Sequence, residues 1–178
     1  MKLPHVMMLL LLGLAFPCYS RTSNSDGRVP ETPRAFVQGF YDWYVPKALA
    51  SDKAPAWNIA LKSKGWYFTP ELAMKLENDA KAQAKVDDEI VGLDFDPFIN
   101  SQDPENGYEV GKPTKRGASY CINIYSVSSK NPGKTKALTV EVVQRNGHWQ
   151  FANFYYPNHL NLLGVLDALR KSREHSKP

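Results

Sequence analysis

The dipeptide Asn146-Gly147 constrains this chain more than any other feature. Both residues tolerate the positive φ of a two-residue type I′ turn. They stand between two β-rich runs, Lys136–Arg145 (KALTVEVVQR) and His148–Tyr156 (HWQFANFYY). That pattern specifies an antiparallel hairpin. A third run, Ala118–Val127 (ASYCINIYSV), joins the first through SSKNPGKT, a hairpin loop by composition. Tyr108–Val110 adds a short strand. On the returning strand the period of two puts Trp149, Phe151, Asn153 and Tyr155 on one side. Trp149 and Phe151 are expected to face the first helix.

The first half of the chain has the helical period instead. Thr32-Pro33 supplies an N-cap and a proline at the first helical position. Phe36, Val37, Phe40, Tyr41 and Tyr44 then share one face, with Asp42 opposite and Pro46 expected to close or kink the helix. A short helix over 54–62 is stopped by Gly65. Thr69-Pro70-Glu71 opens a third, with Leu72, Leu76 and Ala80 as its stripe, running to Lys85. Asp87-Asp88-Glu89 reads as a solvated acidic turn, and 94–107 (DFDPFINSQDPENG) as a long surface loop. Asn158 is expected to cap a last helix with Leu162, Leu163, Val165, Leu166 and Leu169 on one face. The order ααα-ββββ-α implies an α+β fold: N-terminal helices on a curved antiparallel sheet of about four strands, with a closing helix.

Residues 1–20 (MKLPHVMMLLLLGLAFPCYS) have a basic start, a short apolar run and small residues at Cys18 and Ser20. The run is too short to span a bilayer. A secretory signal peptide cut after Ser20 and a periplasmic location are expected. A lipid anchor at Cys18 fits less well, because Ala15-Phe16-Pro17 precede it. Residues 21–31 read as a flexible tether, 32–171 as a single domain and 172–178 as a disordered polar tail. No transmembrane segment is expected in the mature chain.

Loss of the leader removes Lys2 and lowers the net charge from +4 to +3, too mild for a nucleic-acid partner. It also removes one of the 2 cysteines, so the remaining Cys121 cannot close an internal disulfide. Stability must come from the core, and 12% aromatic residues provide the bulk.

Sites for chemistry are sparse. His148, His159 and His175 do not have ligand spacing, and no metal or other cofactor is expected. Asp94, Asp96, Asp103 and Glu105 invite a calcium reading. An EF-hand would want an oxygen ligand at Phe98 and glycine at Ile99, and Asp and Asn in such a segment commonly hold turns. Cys121 lies mid-strand and is expected to be a buried structural thiol. Asp42 is expected to be exposed. Phe40, Tyr44, Trp149, Phe151 and Tyr155 either line a pocket between helix and sheet or form the core. Arg170, Lys171, Arg173 and Lys177 suit a solvated helix end.

The segments FVQGFYDWYV, YFTPELAMKL, DFDPFINSQDP and NGHWQFANFYYP, in that order over roughly 33–169, resemble the bacterial family called domain of unknown function 3828. The resemblance implies the cone-shaped fold of the nuclear-transport-factor-2-like, cystatin-like class, in exported or lipoprotein chains of Gram-negative bacteria. It marks Asp94, Asp96, Pro97, Gln102 and Asp103 as family-typical and carries over no catalytic residue. Three functions stay open, and the first is preferred because no acid, base, nucleophile or metal set converges. The first is a periplasmic, non-enzymatic binding domain with a helix-sheet pocket, for a small molecule or another periplasmic protein. The second is an immunity or inhibitor protein against a periplasmic toxin. The third is a small pocket enzyme using a buried carboxylate, with Asp42, Asp94, Asp96 and His148 as the titratable candidates.

Overall fold

The computed structural model describes residues 32–50, 55–86, 88–128 and 133–175. The expected leader and tether lie outside them, as do the last three residues. Four helices and a four-stranded antiparallel sheet form an α+β fold.

α1 spans Pro33–Leu49, and the Thr32 hydroxyl accepts from the Ala35 N–H at 3.1 Å. The helix passes through Pro46 and does not close there. Proline withholds one N–H from its ladder, and here both Pro46 and Asp42, four residues earlier, are exposed to solvent. α2 spans Ala56–Lys64 and runs into a 3₁₀ turn at Gly65–Tyr67. α3 spans Pro70–Gln83, with Thr69 as its cap. A bridge between Phe68 and Phe151 and the Thr69 N–H to Phe151 carbonyl bond of 2.9 Å fix its start against the sheet.

The strands β1 (Gly107–Arg116), β2 (Ser119–Val127), β3 (Lys134–Arg145) and β4 (His148–Tyr155) pair in sequence order as a meander. Asn146 (φ 51°) and Gly147 (φ 79°) make the β3–β4 turn with the expected backbone. β1 runs well beyond the expected Tyr108–Val110. As an edge strand it can house Pro113, at an irregularity between Val110 and Pro113. α4 spans Leu162–His175. Its cap is Asn161, whose Oδ1 accepts from the Gly164 N–H at 3.1 Å, whereas Asn158 instead closes a local turn onto the Leu160 N–H. The helix continues through Ser172, further than its apolar stripe.

One bulge reorders the last strand. β4 pairs Phe151 with Val142 but Asn153 with Glu141, leaving Ala152 unpaired. Phe154 and Tyr156 therefore turn inward, and Tyr155 turns to the outer face, where its hydroxyl donates to Glu141 Oε2 at 2.7 Å. The expected four-residue stripe thus ends at Phe151. Phe151 does meet α1, with its ring 4.8 Å from Phe40 and 4.9 Å from Phe36. Trp149 is buried, but its ring neighbour is Tyr120, at 5.6 Å, and not the α1 face.

Phe98 and Ile99 close the core from an unexpected direction. Both are buried, although they belong to the segment read as a surface loop. The Phe98 ring stacks on Phe68 at 5.1 Å and meets Phe40 edge-on at 5.7 Å.

Candidate functional site

A cleft of about 430 Å³ opens between the ends of α1 and α3, the start of α2 and the loop between α3 and β1. Ala48, Ala56, Trp57, Leu93 and Phe95 give it apolar walls, and Ile90 stands at its edge with 71% of its surface exposed. Asp94, Asp96, Ser101, Gln102 and Gln83 supply the polar lining.

Three sets of bonds hold the loop that forms this cleft. The first starts in α3, at Asp79, which is 1% exposed. Its Oδ1 takes the Arg173 guanidinium of α4 at 2.7 Å, and its Oδ2 accepts the Leu93 N–H at 2.8 Å. Arg173 also donates to the Val91 carbonyl at 2.7 Å. Arg173 is therefore a structural anchor and not part of a solvated helix end. Gly92 is required here, because a Cβ would come within 2.9 Å of the engaged Asp79 carboxylate. Gln83 completes this set, with Oε1 accepting the Val91 and Gly92 N–H groups at 2.9 and 3.0 Å.

The second set is a group of buried tyrosines. Tyr44 of α1 donates to Asp96 Oδ2 in a short bond. Tyr41 donates to the Phe98 carbonyl at 2.7 Å, and Tyr156 to the Pro97 carbonyl at 3.1 Å. The third set lies within the loop. Asp96 Oδ1 accepts the Phe98 N–H at 3.0 Å, an Asx turn as expected of such a sequence. Asn100, at φ 55°, reaches the Ala137 carbonyl of β3 at 3.1 Å.

These contacts set the electrostatics. Burial disfavours the ionised form of Asp96 and pushes its pKa from 3.8 up to about 6. The Tyr44 hydroxyl and the N–H groups of Phe98 and Ile99 pull the other way and do not cancel it. Burial, then the nearby Asp96 charge, holds the Tyr41 and Tyr44 hydroxyls well above the usual phenol range. Tyr156 moves the same way for the same reasons.

The residues singled out from sequence divide into three groups. Phe40, Tyr44 and Phe151 meet in the fully buried core, and only Tyr44 reaches the cleft region, through Asp96. Trp149 and Tyr155 lie apart from them. Asp94, Asp96 and Gln102 line the cleft; Pro97 is buried beneath it, and Asp103 is exposed beside it. Asp42 is exposed as expected and accepts from Gln38 at 2.8 Å. His148 is exposed on β4. Cys121 is half-buried, not buried, because its position opposite Glu141 places it on the outer sheet face.

Asp79, Gln83, Trp57, Ile90 and the anchoring role of Arg173 escaped the sequence reading. Asp79 left one signal: it sits three residues after Leu76, on the buried stripe of α3. Among the described residues, no set of three or more His, Cys, Asp or Glu side chains is placed to hold a metal ion. Among them also, no helix is long and apolar enough to cross a membrane.

No family model and no curated protein sequence matches the chain. A chain of the native type VI effector-immunity complex Tae3-Tai3 from Ralstonia pickettii is similar in structure. The identity is 18%, the TM-score 0.53, and the match covers 72% of this chain and 97% of that one. The selenomethionine form of that complex gives a TM-score of 0.48 at 18% identity, covering 71% and 97%. A protein of unknown function from Bacteroides thetaiotaomicron gives 0.45 at 19% identity, covering 68% and 86%. At this identity the first of these likenesses is one of fold.

Proposed function

We propose that this chain is a protein-binding domain of the immunity type, which binds a partner protein through the cleft and blocks its action. The observation that carries this reading is the state of the carboxylate in the cleft. Both oxygens of Asp96 are committed to holding the loop, one to Tyr44 and one to the Phe98 N–H. Bonds to both oxygens make this carboxylate a structural tie between α1 and the loop. Asp96 thus serves to anchor the loop, and the cleft it shapes carries a second carboxylate, Asp94, at its exposed edge. The fold likeness to a chain of an effector-immunity complex supports the same reading by analogy. We also propose that the chain is exported to the periplasm, which rests on the leader residues and on the resemblance of its segments to the domain of unknown function 3828 family.

Affinity capture from cell-envelope extract with the mature chain, followed by size exclusion, tests the proposal. A defined complex with one protein, whose activity the chain suppresses, is the expected result. Turnover of a small molecule by the chain alone, abolished by Asp96→Asn, would overturn it. N-terminal sequencing tests export: the periplasmic protein should begin Arg21-Thr22-Ser23, and membrane fractionation with a lipidated Cys18 would contradict that.

A further inference from the structure

The apolar walls of the cleft sit inside a one-sided electrostatic setting. Between Lys85 and Lys112 the chain carries eight carboxylates and no basic side chain, although the whole chain has 22 Lys and Arg against 18 Asp and Glu. Asp94 lines the cleft and is exposed; Asp88 and Glu89 precede the exposed Ile90, and Asp103 follows Gln102. Among the described residues, two basic groups of the neighbouring helices are already engaged. Arg173 of α4 is taken by Asp79 and the Val91 carbonyl. Lys47 of α1, next to the lining Ala48, stands 4.4 Å from the Trp43 ring centre and donates to the Trp43 carbonyl.

We infer that the occupant of this cleft is a segment of the partner protein that presents a basic side chain between apolar ones, an inference that rests on the interaction role proposed above. The apolar neighbours would cover Ile90, Leu93 and Phe95, and the cation would meet Asp94 at the edge. A volume of about 430 Å³ suits a few side chains. An acidic segment would meet like charge at Asp94 and from the carboxylates of the loop, and like-charge contacts are what exclude wrong partners. A purely apolar segment would cover Ile90 and leave the carboxylates facing it without a counter-charge.

Three blocked pentapeptides separate these cases: Gly-Leu-Arg-Leu-Gly, its citrulline analogue and its glutamate analogue. Each is titrated into the isotope-labelled mature chain by two-dimensional NMR. The arginine peptide should shift the Ile90, Phe95 and Gln102 amides and bind about five-fold more tightly than the citrulline peptide. The glutamate peptide should leave them unmoved. D94N/D103N, two changes at exposed positions, should keep a dispersed spectrum and bring the arginine peptide down to the citrulline value. Equal binding of all three peptides, shifts outside the cleft, no binding by the arginine peptide, or an unchanged D94N/D103N would each overturn the inference. Failure of the underlying reading has a separate signature. If D94N/D103N still captures and suppresses the partner protein as well as the unchanged chain does, the interaction role stands and only this inference falls; if the unchanged chain captures none, the role itself falls.

Discussion

The aromatic core under the sheet and the loop that forms the cleft are held by opposite means. Around Phe40, order comes from burial: Tyr44, Phe68, Phe98 and Phe151 all bring their ring centres within 6.0 Å of it. The loop over 89–100 packs Leu93 and Phe95 only partly against the core before Pro97, and it is held by polar groups from three helices and β3. Apolar packing is collective and non-directional, so it tolerates some redistribution. A buried ion pair or carboxylate-phenol bond depends on each partner, and losing one strands the other. The core therefore supplies stability, and the polar anchors give the cleft its shape.

The largest effect should come from the core. Phe40→Ala is expected to cost about 3–5 kcal/mol in denaturant unfolding, the range for a large aromatic removed from a packed interior. Arg173→Ala should come close to it, at about 3 kcal/mol, because Asp79 would remain buried and unpaired. The two differ in kind. Phe40→Ala should lower stability throughout, whereas Arg173→Ala should also raise amide exchange selectively at Val91, Gly92 and Leu93. Uniform exchange in both variants would erase the contrast.

Asp96 gives a third test, through pH. Its folded pKa, about 6, lies above the ordinary 3.8, so between these values the folded chain binds more protons than the unfolded one. Stability through this group should therefore rise as pH falls from about 6 to 4, by up to about 3 kcal/mol. Asp167, held low by its Lys75 partner, acts in the opposite sense and only below 3.8. Asp96→Asn should flatten the dependence over pH 4–6; an unchanged slope would show that the carboxylate does not carry it. On the outer face, Tyr155→Phe should cost about 1–2 kcal/mol by freeing Glu141 Oε2. Trp66, 58% exposed, should be the least sensitive, with Trp66→Ala changing stability by about 0.5 kcal/mol or less.

The same contrast explains what the sequence made legible. The face of α1, the cap at Thr69 and the Asn146-Gly147 hairpin follow from periodicity and turn chemistry, and these local signals hold up in the fold. The bulge at Ala152 has no such signal, since HWQFANFYY is equally compatible with unbroken alternation, and so the placement of Tyr155 was reversed. Pro113 hid most of β1, because only its edge position makes proline acceptable. The loop was legible in composition and opaque in role. Asp79 and Arg173 are 94 residues apart, and Tyr44 and Asp96 are 52 apart. Helical spacing alone gives no hint of which distant partner a carboxylate will find. Phe98 and Ile99 were the visible exception, an apolar pair inside a polar segment.

Site-specific photo-crosslinking in cells tests the central claim, that the partner docks at the cleft, most directly. Ile90 at the cleft and Trp66 at the corner near β4, both exposed, are each replaced by a photoreactive phenylalanine analogue. The account predicts a single protein adduct from position 90 on irradiation and none from position 66. An adduct from position 66 with none from position 90 would contradict it.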